Sequence, residues 1–296
     1  MEREGLPRSP EGNAEAERGL VYAGQSEASE EHPNRNEDLF FADLGRGAFG
    51  VFDGMTHPAG GGIAARVARE RFQELLRQLP EDATLDQAKE WMVRSFKAAD
   101  ASVREYPENH PVNKEIGTTA TVLKFVRGEG SQRTAVVGHV GDSRVSLLRN
   151  GRITTMTLDD SYSLALLGSR EERRARQAFY DRVTNLDEFP TDRELRLFME
   201  RHGLTNVVGG EAEPTVLSFD VQPGDRILLS SDGIHDNLTT AEIEKIITDA
   251  SQPDEATSRL FEAAVARSHE QSADGKHEHL RAKVDDMTAI VVDYKP

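Results

Sequence analysis

Short apolar runs of strand character end at, or start from, acidic residues at five places along this chain of 296 residues. A carboxylate at the edge of a core strand loses part of its hydration, which costs free energy unless a cation or hydrogen bonds compensate the charge. One Asp-Gly of this kind is usually a turn residue, but five such places are harder to explain as turns. The acidic residues are Asp53, Asp142 and Asp232, each at the end of a run, and Glu37-Asp38 and Asp285-Asp286, each at the start of one.

If these carboxylates gathered at one sheet edge, they would repel one another unless a hard cation neutralised them. Oxygen ligands of this kind suit Mg²⁺ or Mn²⁺ better than Zn²⁺. The chain has no cysteine, which excludes disulfides, thiolate metal sites and cysteine nucleophiles. Any metal must therefore bind oxygen or imidazole ligands, although composition alone does not establish that the carboxylates meet.

The rest of the chain alternates between strand and helix patterns, which predicts an α+β layered architecture. Residues 162–205 are dense in Arg and Glu and helical in type, so we expect an appended helical lobe there. Residues 1–18 are polar and are expected to form a disordered leader, with residues 19–296 as one domain. Strands are predicted at Leu20–Ala23, Leu39–Ala42, Ala48–Phe52, Thr118–Val126, Thr134–Val140, Arg144–Leu148, Arg152–Thr155, Thr215–Val221, Arg226–Ser230 and Met287–Tyr294, and helices at Gly60–Leu79, Leu85–Tyr106, Thr240–Asp249 and Asp254–Glu270.

Charge and hydropathy bound the partners of the chain. Its 36 basic and 52 acidic residues give a net charge of −16, and such a surface repels nucleic acid and anionic lipid. No run approaches the roughly 18 consecutive apolar residues that span a bilayer. We therefore expect no nucleic-acid or membrane partner, a cytoplasmic location and a monomer.

Seven short strings occur in order over about residues 20–295, and together they resemble the metal-dependent protein phosphatases of the 2C type, in a bacterial-like form. Any one string is weak, but seven in register are specific. The strings are Asn36-Glu37-Asp38, Val51-Phe52-Asp53-Gly54-Met55, Gly117-Thr118-Thr119-Ala120-Thr121, Val140-Gly141-Asp142-Ser143-Arg144, Thr157-Leu158-Asp159-Asp160-Ser161-Tyr162, Leu228-Leu229-Ser230-Ser231-Asp232-Gly233 and Asp285-Asp286-Met287-Thr288.

The resemblance implies two antiparallel β-sheets packed face to face as a sandwich and flanked by helices, with two Mn²⁺ or Mg²⁺ ions at one end. It also implies that Asp142, with Asp232, binds a third and weaker ion, and that residues 162–205 form a mobile flap beside the site. The implied ligands of the two main ions are Asp53 as the bridge, Gly54 through its carbonyl, Asp232 and Asp285 for one ion, and Glu37 and Asp38 for the other, directly or through water.

The activity that the resemblance implies is hydrolysis of phosphoserine and phosphothreonine in proteins, with Asp53 and Asp232 as the central carboxylates. Two divalent cations about 3.5–4 Å apart bind the phosphoryl oxygens and lower the pKa of a bridging water. That metal-bound water attacks phosphorus in line, so no protein nucleophile is needed. A phosphoprotein substrate and a cognate Ser/Thr kinase are the implied partners.

One departure from the family pattern concerns the substrate phosphate. Many members carry an arginine four residues before the glutamate of the Asn-Glu-Asp string, and here that position is Pro33. Arg35, two residues before Glu37, is the candidate for a phosphate-binding role. A solvated loop arginine is an equally good interpretation of Arg35.

Two other functions are compatible with the same residues. A non-catalytic pseudophosphatase would act as a binding module, and loss of metal-site aspartates would mark it, but every expected aspartate is present. A small-molecule phosphomonoesterase would share the metal core. Comparing rates on a phosphopeptide and on small phosphate esters separates this last alternative from a protein phosphatase.

Overall fold

The structure is a computed structural model that describes residues 19–55, 60–110, 116–128, 132–270 and 279–295. The expected leader at residues 1–18 lies outside these ranges. Within them the strands are β1 Leu20–Glu27, β2 Asp38–Asp43, β3 Ala48–Asp53, β4 Ala120–Arg127, β5 Arg133–Val140, β6 Arg144–Arg149, β7 Arg152–Thr155, β8 Thr215–Val221, β9 Arg226–Ser230 and β10 Met287–Tyr294. The helices are α1 Gly61–Gln78, α2 Leu85–Asn109, α3 Tyr162–Ala165, α4 Arg170–Tyr180, α5 Asp192–Met199, α6 Asp232–His235, α7 Thr240–Asp249 and α8 Pro253–Ser268.

The strands form two five-stranded sheets with the orders β1-β10-β9-β6-β7 and β2-β3-β4-β5-β8. Neighbouring strands are antiparallel in both sheets. Apolar side chains from both sheets meet in one buried cluster, in which Phe49, Val51 and Leu123 of the second sheet join Leu229 and Ile290 of the first. The predicted sandwich is therefore confirmed.

Helices cover the outer face of each sheet. Successive strand residues point to opposite faces, so Phe49 and Val51 of β3 face the other sheet while Phe52 faces α1 and α2. There the ring of Phe52 lies 5.6 Å from that of Phe72. On the other side of the sandwich, α7 and α8 pack their apolar faces on the first sheet. The result is four layers in the order helix, sheet, sheet, helix.

Residues 162–205 contain α3, α4, a 3-10 turn at Leu186–Glu188 and α5. A small apolar cluster of Tyr180, Val183 and Phe198 holds this segment together. Arg281, which is fully buried, lies under the segment and donates hydrogen bonds to carbonyls of both the segment and the domain below. These are Tyr180 O at 2.7 Å, Val183 O at 3.3 Å, His235 O at 2.7 Å and Leu238 O at 3.1 Å.

No helix in the described ranges is both long enough and apolar enough to cross a membrane.

Candidate metal centre

The sheet topology brings the predicted acidic residues together at one end of the sandwich. Asp38 begins β2 and Asp53 ends β3, and the two face each other in the strand register. Asp232 starts α6 directly after β9, and Asp142 lies in the turn between β5 and β6. One carboxylate oxygen each of Asp53, Asp142 and Asp232 lies within 4.8 Å of the others. The convergence that the sequence could only suggest is thus present in the fold.

Asp38 is buried at this end, with 1% of its surface exposed. The Ser231 hydroxyl donates a 2.6 Å hydrogen bond to its Oδ2 and accepts one from the backbone N–H of Thr288. Burial raises the pKa of Asp38 to about 8; the charges of Asp285 and Asp286 add to the rise, and the hydrogen bond from Ser231 opposes it only in part. No positively charged side chain in the described ranges forms an ion pair with this carboxylate.

Asp53 and Asp142 also have raised pKa values. Burial raises the pKa of Asp53 well above its ordinary value, and the charges of Asp38 and Asp232 raise it further. Burial likewise raises the pKa of Asp142 well above its ordinary value, with Asp232 as the main charge that adds to it. Ionised carboxylates this close together need a cation between them.

Two buried carboxylate oxygens lack hydrogen-bond partners among the described residues, namely Glu37 Oε2 and Asp232 Oδ1. Buried polar atoms without partners are uncommon in proteins and call for an explanation such as an ion. Both belong to residues predicted as metal ligands, and the donor set is carboxylate and carbonyl oxygen. These residues fit Mn²⁺ or Mg²⁺.

Gly54 occupies a position where only a glycine fits. A Cβ there would collide with the Gly61 carbonyl at the start of α1, because the two backbones approach directly. The Gly54 N–H donates to Glu37 O at 3.2 Å, and the Gly62 N–H donates to Glu37 Oε1 at 3.4 Å. Main-chain contacts thus join Glu37, Asp38, Asp53 and Gly54 into one corner of the centre.

Asp285 and Asp286 have different surroundings. The Asp286 carboxylate accepts the backbone N–H groups of Ser29 and Glu37, each at 2.7 Å. The Asp285 side chain is 34% exposed, and its Oδ2 lies 2.9 Å from Lys283 Nζ. Asp286 therefore fixes the main chain of a predicted ligand, while Asp285 faces the cluster.

Sequence reasoning missed Lys283. Its ammonium forms ion pairs with Asp232 Oδ2, with Asp285 Oδ2 and, at 3.5 Å, with Asp236 Oδ2. Burial works against its charge, but Asp232 and Asp285 raise the pKa of Lys283 well above its ordinary value. Burial also opposes ionisation of Asp232, yet the Lys283 ammonium and the nearby His202 bring the pKa of Asp232 below its ordinary value.

Asp236 and His202 were missed as well. His202 Nδ1 lies 3.0 Å from Asp236 Oδ2 and 3.8 Å from Asp232 Oδ2, and Arg201 Nε lies 3.2 Å from Asp236 Oδ1. Burial lowers the pKa of His202, but the charge of Asp236 prevails and raises it to about 9. The position of Asp236, four residues after Asp232, was the available signal, because this spacing places two side chains on one helix face.

Arg35 lies at the rim of the centre. Its guanidinium is about half exposed, and Nη2 is 3.7 Å from Glu37 Oε2. By contrast, the Arg144 guanidinium is fully engaged with Asp159 at 2.9 and 2.6 Å and with Asp181 at 2.8 Å. Of these two arginines, only Arg35 is placed to reach a group that approaches from solvent, and its phosphate-binding role stays a prediction.

Comparison with known proteins gives the family that the seven sequence strings resemble. The family model described as Protein phosphatase 2C matches residues 23–282. A serine/threonine protein phosphatase PstP of Mycobacterium tuberculosis is 29% identical over 83% of this chain and 42% of the relative. Protein phosphatase PhpP of Streptococcus pneumoniae is 24% identical over 69% of this chain and 74% of the relative. The chain thus spans less than half the length of PstP.

Two solved structures share the fold. The catalytic domain of PstP in complex with two manganese ions superposes with a TM-score of 0.68 at 24% identity, covering 94% of this chain and 99% of that one. Stp1 of Staphylococcus aureus superposes with a TM-score of 0.71 at 18% identity, covering 94% and 96%. Because the family model matches most of the sequence, the chain belongs to the protein phosphatase 2C family.

Proposed function

We propose that the chain is a Mn²⁺- or Mg²⁺-dependent protein serine/threonine phosphatase. The observation that carries the proposal is a group of carboxylates at one end of the sandwich, of which Asp38, Asp53 and Asp142 form no ion pair among the described residues. Asp38, Asp53 and Asp142 all have raised pKa values, and buried oxygens of Glu37 and Asp232 lack partners among the described residues. The relative solved with two manganese ions supports the same metal here.

Each residue of the centre has a proposed task. Asp53 would contribute to both ions, Asp232 and Asp285 would hold one of them, and Glu37 and Asp38 would hold the other, directly or through water, with the Gly54 carbonyl as a further ligand. When bound, such ions act as Lewis acids and lower the pKa of coordinated water. The Ser231 hydroxyl and the Asp286 carboxylate keep Asp38 and Glu37 in place.

Arg35 is the proposed contact for the substrate phosphate. A guanidinium binds phosphate oxygens in a bidentate manner, and its half-exposed position beside Glu37 leaves it accessible. A phosphoserine or phosphothreonine side chain that enters from the rim would meet Arg35 before the carboxylates. A cognate Ser/Thr kinase, a signalling role, a cytoplasmic location and a monomeric state belong to the same proposal.

The test is phosphate release from a phosphothreonine peptide with Mn²⁺, with Mg²⁺ and with excess chelator. We expect activity only with metal, and Asp53→Ala should reduce kcat/KM by about 100-fold or more, a barrier increase of about 2.7 kcal/mol or more. The exposed Asp187→Ala is the matched control and should retain full activity. Full activity in chelator would refute the mechanism.

Two outcomes would favour the alternatives. A protein that binds Mn²⁺ but hydrolyses no phosphoester would be a binding module of the same fold. A protein that hydrolyses small phosphate esters much faster than phosphopeptides would be a small-molecule phosphomonoesterase.

A further inference from the structure

Lys283 places a positive charge inside the carboxylate cluster. Its Nζ pairs with Asp232 Oδ2 and lies 2.9 Å from Asp285 Oδ2 and 3.5 Å from Asp236 Oδ2. The side chain is only 20% exposed. An ammonium with three carboxylate neighbours occupies the kind of position that a metal ion would otherwise take.

The main chain of Lys283 is held firmly in this place. The side chain of Asn237, which is fully buried, accepts the Lys283 N–H at 3.0 Å and donates to the Lys283 carbonyl at 2.9 Å. The same amide donates to Gly233 O at 2.8 Å, within α6. Lys283 is therefore tied to the short helix that carries Asp232, and its ammonium is directed to that residue.

The two oxygens of Asp232 consequently differ. Oδ2 has the ammonium of Lys283, and His202 is 3.8 Å away. Oδ1 is buried and has no hydrogen-bond partner among the described residues. Asp236, on the same side as Oδ2, is further compensated by Arg201 and His202. Oδ1 of Asp232 therefore still needs a cation, whereas Oδ2 already has the Lys283 ammonium.

A third metal ion held by Asp142 and Asp232 would have to compete with this arrangement. Such an ion would have few protein ligands, and the Lys283 ammonium, which pairs with Asp232 and whose charge also acts on Asp142, would repel it. The lysine is part of the chain, so it does not dissociate when the metal concentration falls.

We propose that the Lys283 ammonium takes the place of a third divalent ion beside Asp232, so that the chain saturates with two metal ions. The proposal rests on the proposed two-ion centre. Lys283 would thereby determine how many metal ions the centre binds.

The experiment counts bound Mn²⁺ by equilibrium dialysis and elemental analysis over a range of free Mn²⁺ up to millimolar concentrations. Wild type and Lys283→Arg should saturate at two ions per chain. Lys283→Met, which keeps the length of the side chain but removes its charge, should saturate at three ions per chain over the same concentration range. Adding Asp142→Asn to Lys283→Met should remove that third ion.

Lys245→Met is the control, because Lys245 is an exposed lysine on α7, outside the cluster. The Lys245→Met variant should still saturate at two Mn²⁺ ions per chain. Circular dichroism and thermal unfolding verify that each variant is folded.

Saturation of wild type at three ions overturns the proposal, and so does a count of two in folded Lys283→Met. If Lys283→Met does not fold, the wild-type count decides, since three ions contradict the proposal and two agree with it. The readout is independent of catalysis. A protein that binds two ions without hydrolysing phosphopeptides would overturn the proposed function and leave this inference intact.

Discussion

At the scale of single residues, neighbouring carboxylates perform different tasks. Asp286 accepts two backbone N–H groups in the interior, whereas Asp285 is partly exposed and contacts Lys283. Residue type does not distinguish them, because both are aspartates in one string. Their difference depends on which side of the extended chain faces the segment at residues 29–37.

We expect Asp286→Ala to reduce the free energy of unfolding by about 2–4 kcal/mol, because it leaves the buried N–H groups of Ser29 and Glu37 without an acceptor. Asp285→Ala should change stability by less than about 1 kcal/mol but should weaken Mn²⁺ binding. Urea denaturation in chelator measures the first effect, and calorimetric Mn²⁺ titration measures the second.

Asp286→Asn is the matched control, since it keeps one acceptor oxygen and should give an intermediate loss of stability. Per folded molecule, Asp286→Ala should also lower turnover less than Asp285→Ala does. The reverse order of turnover would show that Asp286, not Asp285, is the metal ligand.

The residues of the centre divide into those that sequence could indicate and those that it could not. Asp38, Asp53 and Asp232 stand beside apolar strands, so a local pattern singled them out. Lys283 and His202 stand in polar segments without such a pattern. Lys283 meets Asp232 across 51 positions of sequence, and only the packed fold brings them together.

At the scale of elements, most strands and long helices follow the predicted bounds, because alternating or helical spacing of apolar residues specifies them. The helix α6 was not predicted. Its four residues, Asp232–His235, include a glycine and are too few to show a period. This single turn follows β9 after Ser231, and the Asn237 side chain holds it by donating a hydrogen bond to Gly233 O.

Arg281 connects residues 162–205 to the sandwich, alongside the ion pairs of Arg144 with Asp181 and of Arg201 with Asp236. Its guanidinium donates to four carbonyls, two on each side of the junction. A lysine ammonium has three donors on one nitrogen and cannot reach carbonyls this far apart. Loss of these four hydrogen bonds should therefore weaken the attachment of the proposed flap.

We expect Arg281→Lys to increase amide hydrogen exchange in α4 and α5 by at least tenfold while exchange in β4 and β5 stays unchanged. Hydrogen-exchange mass spectrometry makes the comparison directly. Arg193→Lys, at an exposed position of α5, is the control and should behave as wild type. Equal acceleration across the sandwich would mean that Arg281 stabilises the whole fold and not the junction.

At the scale of the whole molecule, the buried carboxylates make the metal-free protein sensitive to pH. The pKa of Asp38 rises from an ordinary 3.8 to about 8 in the folded state, so between these values the folded chain holds a proton that the unfolded chain releases. The pKa of His202 is raised from an ordinary 6.5 to about 9, so between these values the folded chain holds a second proton that the unfolded chain releases. Asp232 and Asp236 have lowered pKa values. Both are therefore ionised in the folded and the unfolded chain above pH 5, and they do not make the stability depend on pH there.

The free energy of unfolding of the metal-free protein should therefore fall as the pH rises from 5 to 8. Bound Mn²⁺ replaces the proton, so the stabilisation by saturating Mn²⁺ should be larger at pH 8 than at pH 5. Urea unfolding in chelator and in Mn²⁺ at both pH values tests this. A metal-free protein that is more stable at pH 8 would contradict the assigned burial of these carboxylates.

The pairing of β1 with β10 joins segments far apart in sequence, as in the contact between Ser26 and Thr288, which are 262 residues apart. During synthesis the first of these segments leaves the ribosome long before the second. β1 then has no hydrogen-bonding neighbour in its sheet until Met287–Tyr294 is available, and Asp285 arrives with it. The nascent chain must therefore keep an apolar strand edge from aggregating, and it can complete its metal centre only after Asp285 and β10 have been made.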